Sequence, residues 1–163
     1  MKFNNPPFDY AGYCPPEEVW NGRREQFRRL ESMAIGEGEH SQNTHEQREP
    51  LVREMEHTYC AGAWVATILL AQSIVEITLA FHGYPKHTDR ENFLAKYGLD
   101  ERARWLRLHR NAIVHRDEDD PAIVTIEQIL FDRNPLTHDA KKAVALSLSV
   151  AFLGLKYKDA YSA

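Results

Sequence analysis

Residues 60–81, CAGAWVATILLAQSIVEITLAF, constrain the chain more than any other stretch. Its apolar side chains point in nearly every direction around a helix axis, so a helix here must be buried on most sides and not along one stripe. Its length raises the membrane question, but Thr67, Gln72, Ser73, Glu76 and Thr78 interrupt the run. It therefore reads as the buried helix of a bundle and not as a membrane span. No proline and only one glycine, Gly62, fall between positions 51 and 81, and the expectation is a single central helix over that length.

A helix covered on most sides needs several partners, and the rest of the chain supplies them. PPEEVWNGRREQFRRLESMAI opens on prolines and acids and carries Val19, Trp20, Phe27, Leu30 and Ile35 near helical spacing, which predicts a helix over 17–33. The polar, glycine-containing GEGEHSQNTHEQREP reads as a loop. TDRENFLAKYG offers Thr88 or Asp89 as an N-cap, Glu91 to complete a capping box, and Gly98 as a stop. Asp100 can cap the next helix, expected over 101–115, with Trp105, Leu108 and Ala112 on its core stripe beside Leu106 and Ile113. PAIVTIEQILFDR is open to helix or strand, and a short helix is favoured. A long helix is expected from Asn134 or Thr137 onward. The fold class is all-α, an up-and-down bundle of four to six helices joined by short connections. Residues 1–16, with Phe3, Phe8, Tyr10 and Tyr13 among prolines, read as an extended N-terminal arm; 17–163 form one domain.

Charge and cysteine usage narrow the function classes. A formal net charge of −4 argues against a generally basic coat for nucleic acid but leaves room for a local basic patch. Cys14 and Cys60 stand far apart, and MKFNNPPFDY lacks the apolar run of a signal peptide, so a reduced, cytoplasmic protein is expected. The histidines at 40, 45, 57, 82, 87, 109 and 138 follow no zinc-enzyme spacing, and neither a G-x-S-x-G elbow nor a phosphate-cradling glycine loop occurs. No cofactor and no metal are expected. Trp64, Trp105 and Phe93 fit core stripes better than a base-stacking platform.

Chemistry concentrates in 107–121. Arginines recur at 102, 104, 107, 110 and 116, and then Asp117, Glu118, Asp119 and Asp120 reverse the sign. On a helix Asn111 and His115 share a face, whereas Arg110 and His115 stand roughly 140° apart. A second copy of the helix across a two-fold axis would bring arginines and histidines of both chains into one cleft. These residue types suit a phosphodiester. Histidine moves a proton near neutrality, arginine forks onto phosphate oxygens, and asparagine orients either. RNA carries its own nucleophile in the 2′-OH, so base, acid and cation suffice.

The run RNAIVH, Arg110 to His115, resembles the R-N-x-x-x-H motif of the HEPN superfamily, small helical bundles that dimerise and many of which are metal-independent endoribonucleases. The likeness extends over about 51–158: a long apolar helix with one internal acid, Glu76 in AQSIVEITLAFHG, then FLAKYGLDERARWLRLHRN leading into the motif, then a closing helix. It implies Arg110 and His115 as the catalytic pair, Asn111 as their polar helper and Glu76 as a supporting acid. Arg104, Arg107 and Arg116 are the candidate RNA contacts. RNA, a second copy of the chain and an antitoxin or regulatory protein are the implied partners, with no membrane, in toxin or defence biology. In one toxin branch a tyrosine two places after the histidine is modified by a partner nucleotidyltransferase; Asp117 stands there in this chain, so that regulation is not carried over.

Plainer readings stand beside these. Arg110, Asn111 and His115 form an ion-paired helix end in one of them, and Glu76 satisfies a buried group. The four acids at 117–120 read as solvated charge before they read as a cation site. At the level of function, the rivals are a non-catalytic RNA- or nucleotide-binding or protein-interaction module of the same fold, and a structural partner protein that assembles through its aromatic arm.

Overall fold

A computed structural model describes residues 15–37, 48–115 and 134–153 of the chain. All but the last two residues of the expected arm lie outside those ranges, as do Arg116, the acids at 117–120 and the short helix read over 121–133. The described residues form six helices: α1 (Glu17–Glu37), α2 (Arg48–Ala61), α3 (Trp64–Phe81), α4 (His87–Ala95), α5 (Asp100–Val114) and α6 (Asn134–Ala151). The fold is all-α, a helical bundle, as the patterning implies.

The expected single helix over 51–81 is two helices. Gly62 adopts φ +78°, a left-handed conformation that costs a side-chain-bearing residue dearly and glycine little. With Gly62 there, its own N–H donates to the Tyr59 carbonyl at 3.1 Å and the Ala63 N–H reaches the Thr58 carbonyl at 2.9 Å. Together these form the Schellman cap that ends α2. The chain then reverses into α3 within two residues, a tight helical hairpin. Gly98 does what the sequence implies and closes α4 by the same pair of bonds, Gly98 N–H to Ala95 and Leu99 N–H to Leu94, both 3.1 Å. The start of α4 differs from expectation. Its N-cap is Lys86, with no side-chain cap, so Thr88 and Glu91 do not make a capping box.

Four helices make the main bundle. α3 packs most extensively on α6 and α2, and α1 closes the ring by packing on both α2 and α6. Ile68, Ile74 and Leu79 of α3 are wholly buried, together with Phe27 of α1, Met55 of α2, and Val144 and Leu148 of α6. Full burial of each such side chain contributes about 1.5–3 kcal/mol. By length and composition α3 is apolar enough to cross a membrane, yet half of it is buried inside the bundle. Arg48, itself buried, donates from Nη1 to the Ala151 carbonyl at 2.7 Å and so satisfies one of the carbonyls left open at the end of α6. α4 and α5 pack on each other, and α5 rests on the flank of α3, which places the arginine-rich helix at the edge of the bundle.

Candidate functional site

α5 begins with Asp100 and Glu101 in its first turn, where acids complement the positive end of the helix dipole. It ends at His115, whose backbone turns to the extended region while its N–H still donates to the Asn111 carbonyl at 2.7 Å. The core side of α5 is not the expected stripe. Ala103 and Leu106 are buried, whereas Leu108 is 55% exposed. α5 meets the body of the protein mainly through α3 and α4, with a smaller contact to α6, and that packing selects the Ala103–Leu106 side over the equally apolar Leu108 side. Trp105 and Ile113 pack partly against the core at its margins. Leu108, Asn111 and His115, at i, i+3 and i+7, therefore lie toward the outward face.

The motif residues occupy the last turn of this helix. Arg110 and Asn111 are half-buried and His115 is exposed. Arg110 leaves the helix on the bundle side, but its Nη1 donates to Asn111 Oδ1 at 3.0 Å. The guanidinium is thus drawn toward the residue that precedes His115 by one turn on the outward face. One hydrogen bond offsets part of the angular separation that the helix imposes.

Glu76 lies elsewhere. With Gln72, Val75 and Leu79 it forms the α3 wall of a narrow recess of about 30 Å³, whose other walls carry His87, Arg90 and Glu91 of α4 and Arg104 and Arg107 of α5. Gln72 Nε2 donates to Glu76 Oε1 at 2.9 Å, and the Gln72 Oε1 is buried with no hydrogen-bond partner among the described residues. The site residues named from sequence therefore fall in two places: Glu76, Arg104 and Arg107 around the recess, and Arg110, Asn111 and His115 beyond it. Ala103, Arg107 and Arg110 follow i, i+4, i+7 spacing, so Arg110 continues the edge of α5 that lines the recess.

Arg104 and Arg107 converge on one carboxylate. Arg104 Nη2 lies 3.1 Å from Glu91 Oε2, and Arg107 Nη2 lies 3.0 Å from Glu91 Oε1. The hydrogen bond from Arg104, followed by the charges of both arginines, holds the Glu91 carboxyl below its ordinary range. Arg90 is anchored by Nε to the Tyr84 carbonyl at 2.7 Å. Glu91 and Arg90 escape a reading of the sequence because their partners stand 6 to 16 positions away, outside the i to i+4 neighbours that local pattern reports.

One titratable group sits on the other flank of α5. His109 stacks on Trp105, and the Lys142 ammonium lies 3.8 Å from the Trp105 ring centre. His109 Nε2 is 3.3 Å from Asp139 Oδ2, a proximity that does not meet hydrogen-bond geometry. Burial outweighs the carboxylate and lowers the His109 pKa from its ordinary value. Among the described residues, no group of three or more His, Cys, Asp or Glu side chains is arranged to hold a metal ion. Comparison of the chain with protein-family models, with curated proteins and with solved structures gives no match.

Proposed function

We propose that this chain is a HEPN-like, metal-independent endoribonuclease that works as a homodimer in a reduced, cytoplasmic setting. The observation that carries the reading is the Arg110–Asn111 hydrogen bond at 3.0 Å, one turn before an exposed imidazole. It gives a permanent cation, an orienting amide and a proton-transfer group a common place on the surface. In the proposed reaction the 2′-OH attacks the adjacent phosphorus and the 5′-oxygen leaves, producing a 2′,3′-cyclic phosphate and a 5′-hydroxyl. One His115 takes the proton from the 2′-OH, and the His115 of a second copy gives a proton to the departing 5′-oxygen. Arg110 stabilises the charge that builds on the phosphorane, and Asn111 holds Arg110 in position. Glu76 acts in this scheme from a distance, through the wall of the recess and not on the scissile bond.

The test uses the purified 163-residue chain, single-stranded RNA and a chelating agent. Cleavage by the wild type is expected, and His115→Ala should abolish it while leaving the thermal melt and the oligomeric state unchanged. A mobility shift without cleavage would instead assign the chain to the non-catalytic RNA-binding alternative, and neither shift nor cleavage would leave a structural partner protein.

A further inference from the structure

We propose that Arg104 and Arg107 form a phosphate clamp one turn ahead of the motif, and that Glu91 occupies this clamp as a built-in competitor until a phosphate displaces it. The inference deepens the RNA reading above and rests on it for the identity of the strand.

The geometry is that of an anion held between two guanidinium groups. Two arginines on successive turns of α5 each contribute one Nη2 to a different oxygen of the same carboxylate, at 3.1 and 3.0 Å. Carboxylates and phosphates present oxygens that arginine forks accept in the same manner, so Glu91 marks where a phosphate oxygen pair fits. The exchange is feasible because the cluster is open to water. The side chain of Arg104 is 61% exposed, and those of Arg107 and Glu91 are each 29% exposed. Ion pairs of this kind add little to stability, so the fold does not depend on the contact. Three guanidinium groups, from Arg90, Arg104 and Arg107, line the recess beside two carboxylates, Glu76 and Glu91, while the charges of Asp100 and Glu101 reach Arg104 from the start of α5. Displacing Glu91 leaves the clamp with a net positive charge for its ligand.

The clamp is also placed for the proposed chemistry. Arg107 precedes Arg110 by three residues, about 4.5 Å along the axis, so a strand whose scissile phosphate lies at Arg110 can set a neighbouring phosphate on the clamp. Glu91 then sets a threshold, since a strand must out-compete it to bind. The same chemistry could come from a free nucleotide, which carries a terminal phosphate.

Two ligands separate the sources: a 5′-hydroxyl single-stranded oligoribonucleotide, followed by fluorescence anisotropy, and adenosine monophosphate, followed by calorimetry. Glu91→Gln should bind the oligoribonucleotide about three- to tenfold more tightly than wild type. The slope of log affinity against log salt should steepen by roughly one for the additional phosphate contact. Arg107→Gln in the Glu91→Gln background should cancel the gain. Tightening for the mononucleotide alone keeps the clamp and assigns it to a free terminal phosphate. Equal or weaker binding of both ligands by Glu91→Gln with a native melt overturns the proposal, as does an Arg104→Gln, Arg107→Gln chain that binds both ligands like wild type. Cleavage read in parallel keeps the two claims apart. An RNA-binding effect of Glu91→Gln in a chain that cleaves nothing sinks the nuclease and spares the clamp, whereas cleavage unaffected by Glu91→Gln at limiting RNA does the reverse.

Discussion

His109 and His115 show how much position decides for one residue type. Six residues apart on α5, one lies against Trp105 with its side chain 11% exposed and the other caps the helix in solvent. The His109 pKa is lowered from its ordinary value of 6.5, first by desolvation and then by Lys142, with Asp139 acting in the opposite direction. Above that value the ring is neutral in both the folded and the unfolded chain. As pH falls below it, the unfolded chain takes up the proton first, so stability declines until the folded ring is protonated as well. Denaturant melts of wild type should therefore lose stability below about pH 6.5, and His109→Gln should flatten that part of the profile. Identical slopes would show that His109 carries no such linkage. The motif singles out His115, but only the packing of α5 on its neighbours shows which of the two histidines is sheltered from solvent. Glu91 teaches the same lesson. Its place three residues after Thr88 suggests a capping box, but two guanidinium groups 13 and 16 positions away claim its carboxylate instead.

Among the elements, α2 and α3 were legible as buried helix and illegible as two helices. A lone glycine in an apolar run is compatible with a tolerated interior position or with a helix end, and local pattern does not separate them. What separates them is the left-handed backbone at Gly62 and its two capping hydrogen bonds. Gly62→Ala should cost about 1–2 kcal/mol, the penalty for that conformation in a residue with a Cβ. At this chain length each kcal/mol lowers Tm by roughly 2–4 °C. An unchanged melt would contradict the cap. α5 was legible in its bounds and illegible in its orientation, because Leu106 and Leu108 offer the same hydrophobicity to two sides. α3 and α4 take the Leu106 side. Substituting Leu106, wholly buried, by Ala should cost about 2–5 kcal/mol, while Leu108→Ala, at 55% exposure, should leave the monomer's thermal melt nearly unchanged. Equal losses at the two positions would mean that α5 sits in the rotation the stripe implied.

At the scale of the molecule, the all-α bundle follows from the number of apolar helical faces that must cover α3, and that demand is written in the sequence. The candidate site is written there less completely. RNAIVH names three side chains, and the helix they share keeps Arg110 and His115 apart, although the hydrogen bond to Asn111 draws Arg110 part of the way round. Dimerisation is the step that completes the proposed site, so gel filtration with light scattering should return about twice the 18.9 kDa chain mass. A stable monomer that nevertheless cleaves RNA would remove the second His115 from the mechanism. The most direct measurement is the chemistry of the RNA ends, read by mass spectrometry after incubation with purified chain and a chelating agent. Wild type should leave 2′,3′-cyclic phosphate and 5′-hydroxyl ends and His115→Ala should leave the RNA intact; 3′-hydroxyl and 5′-phosphate ends, or equal cleavage by the two proteins, would overturn the nuclease proposal.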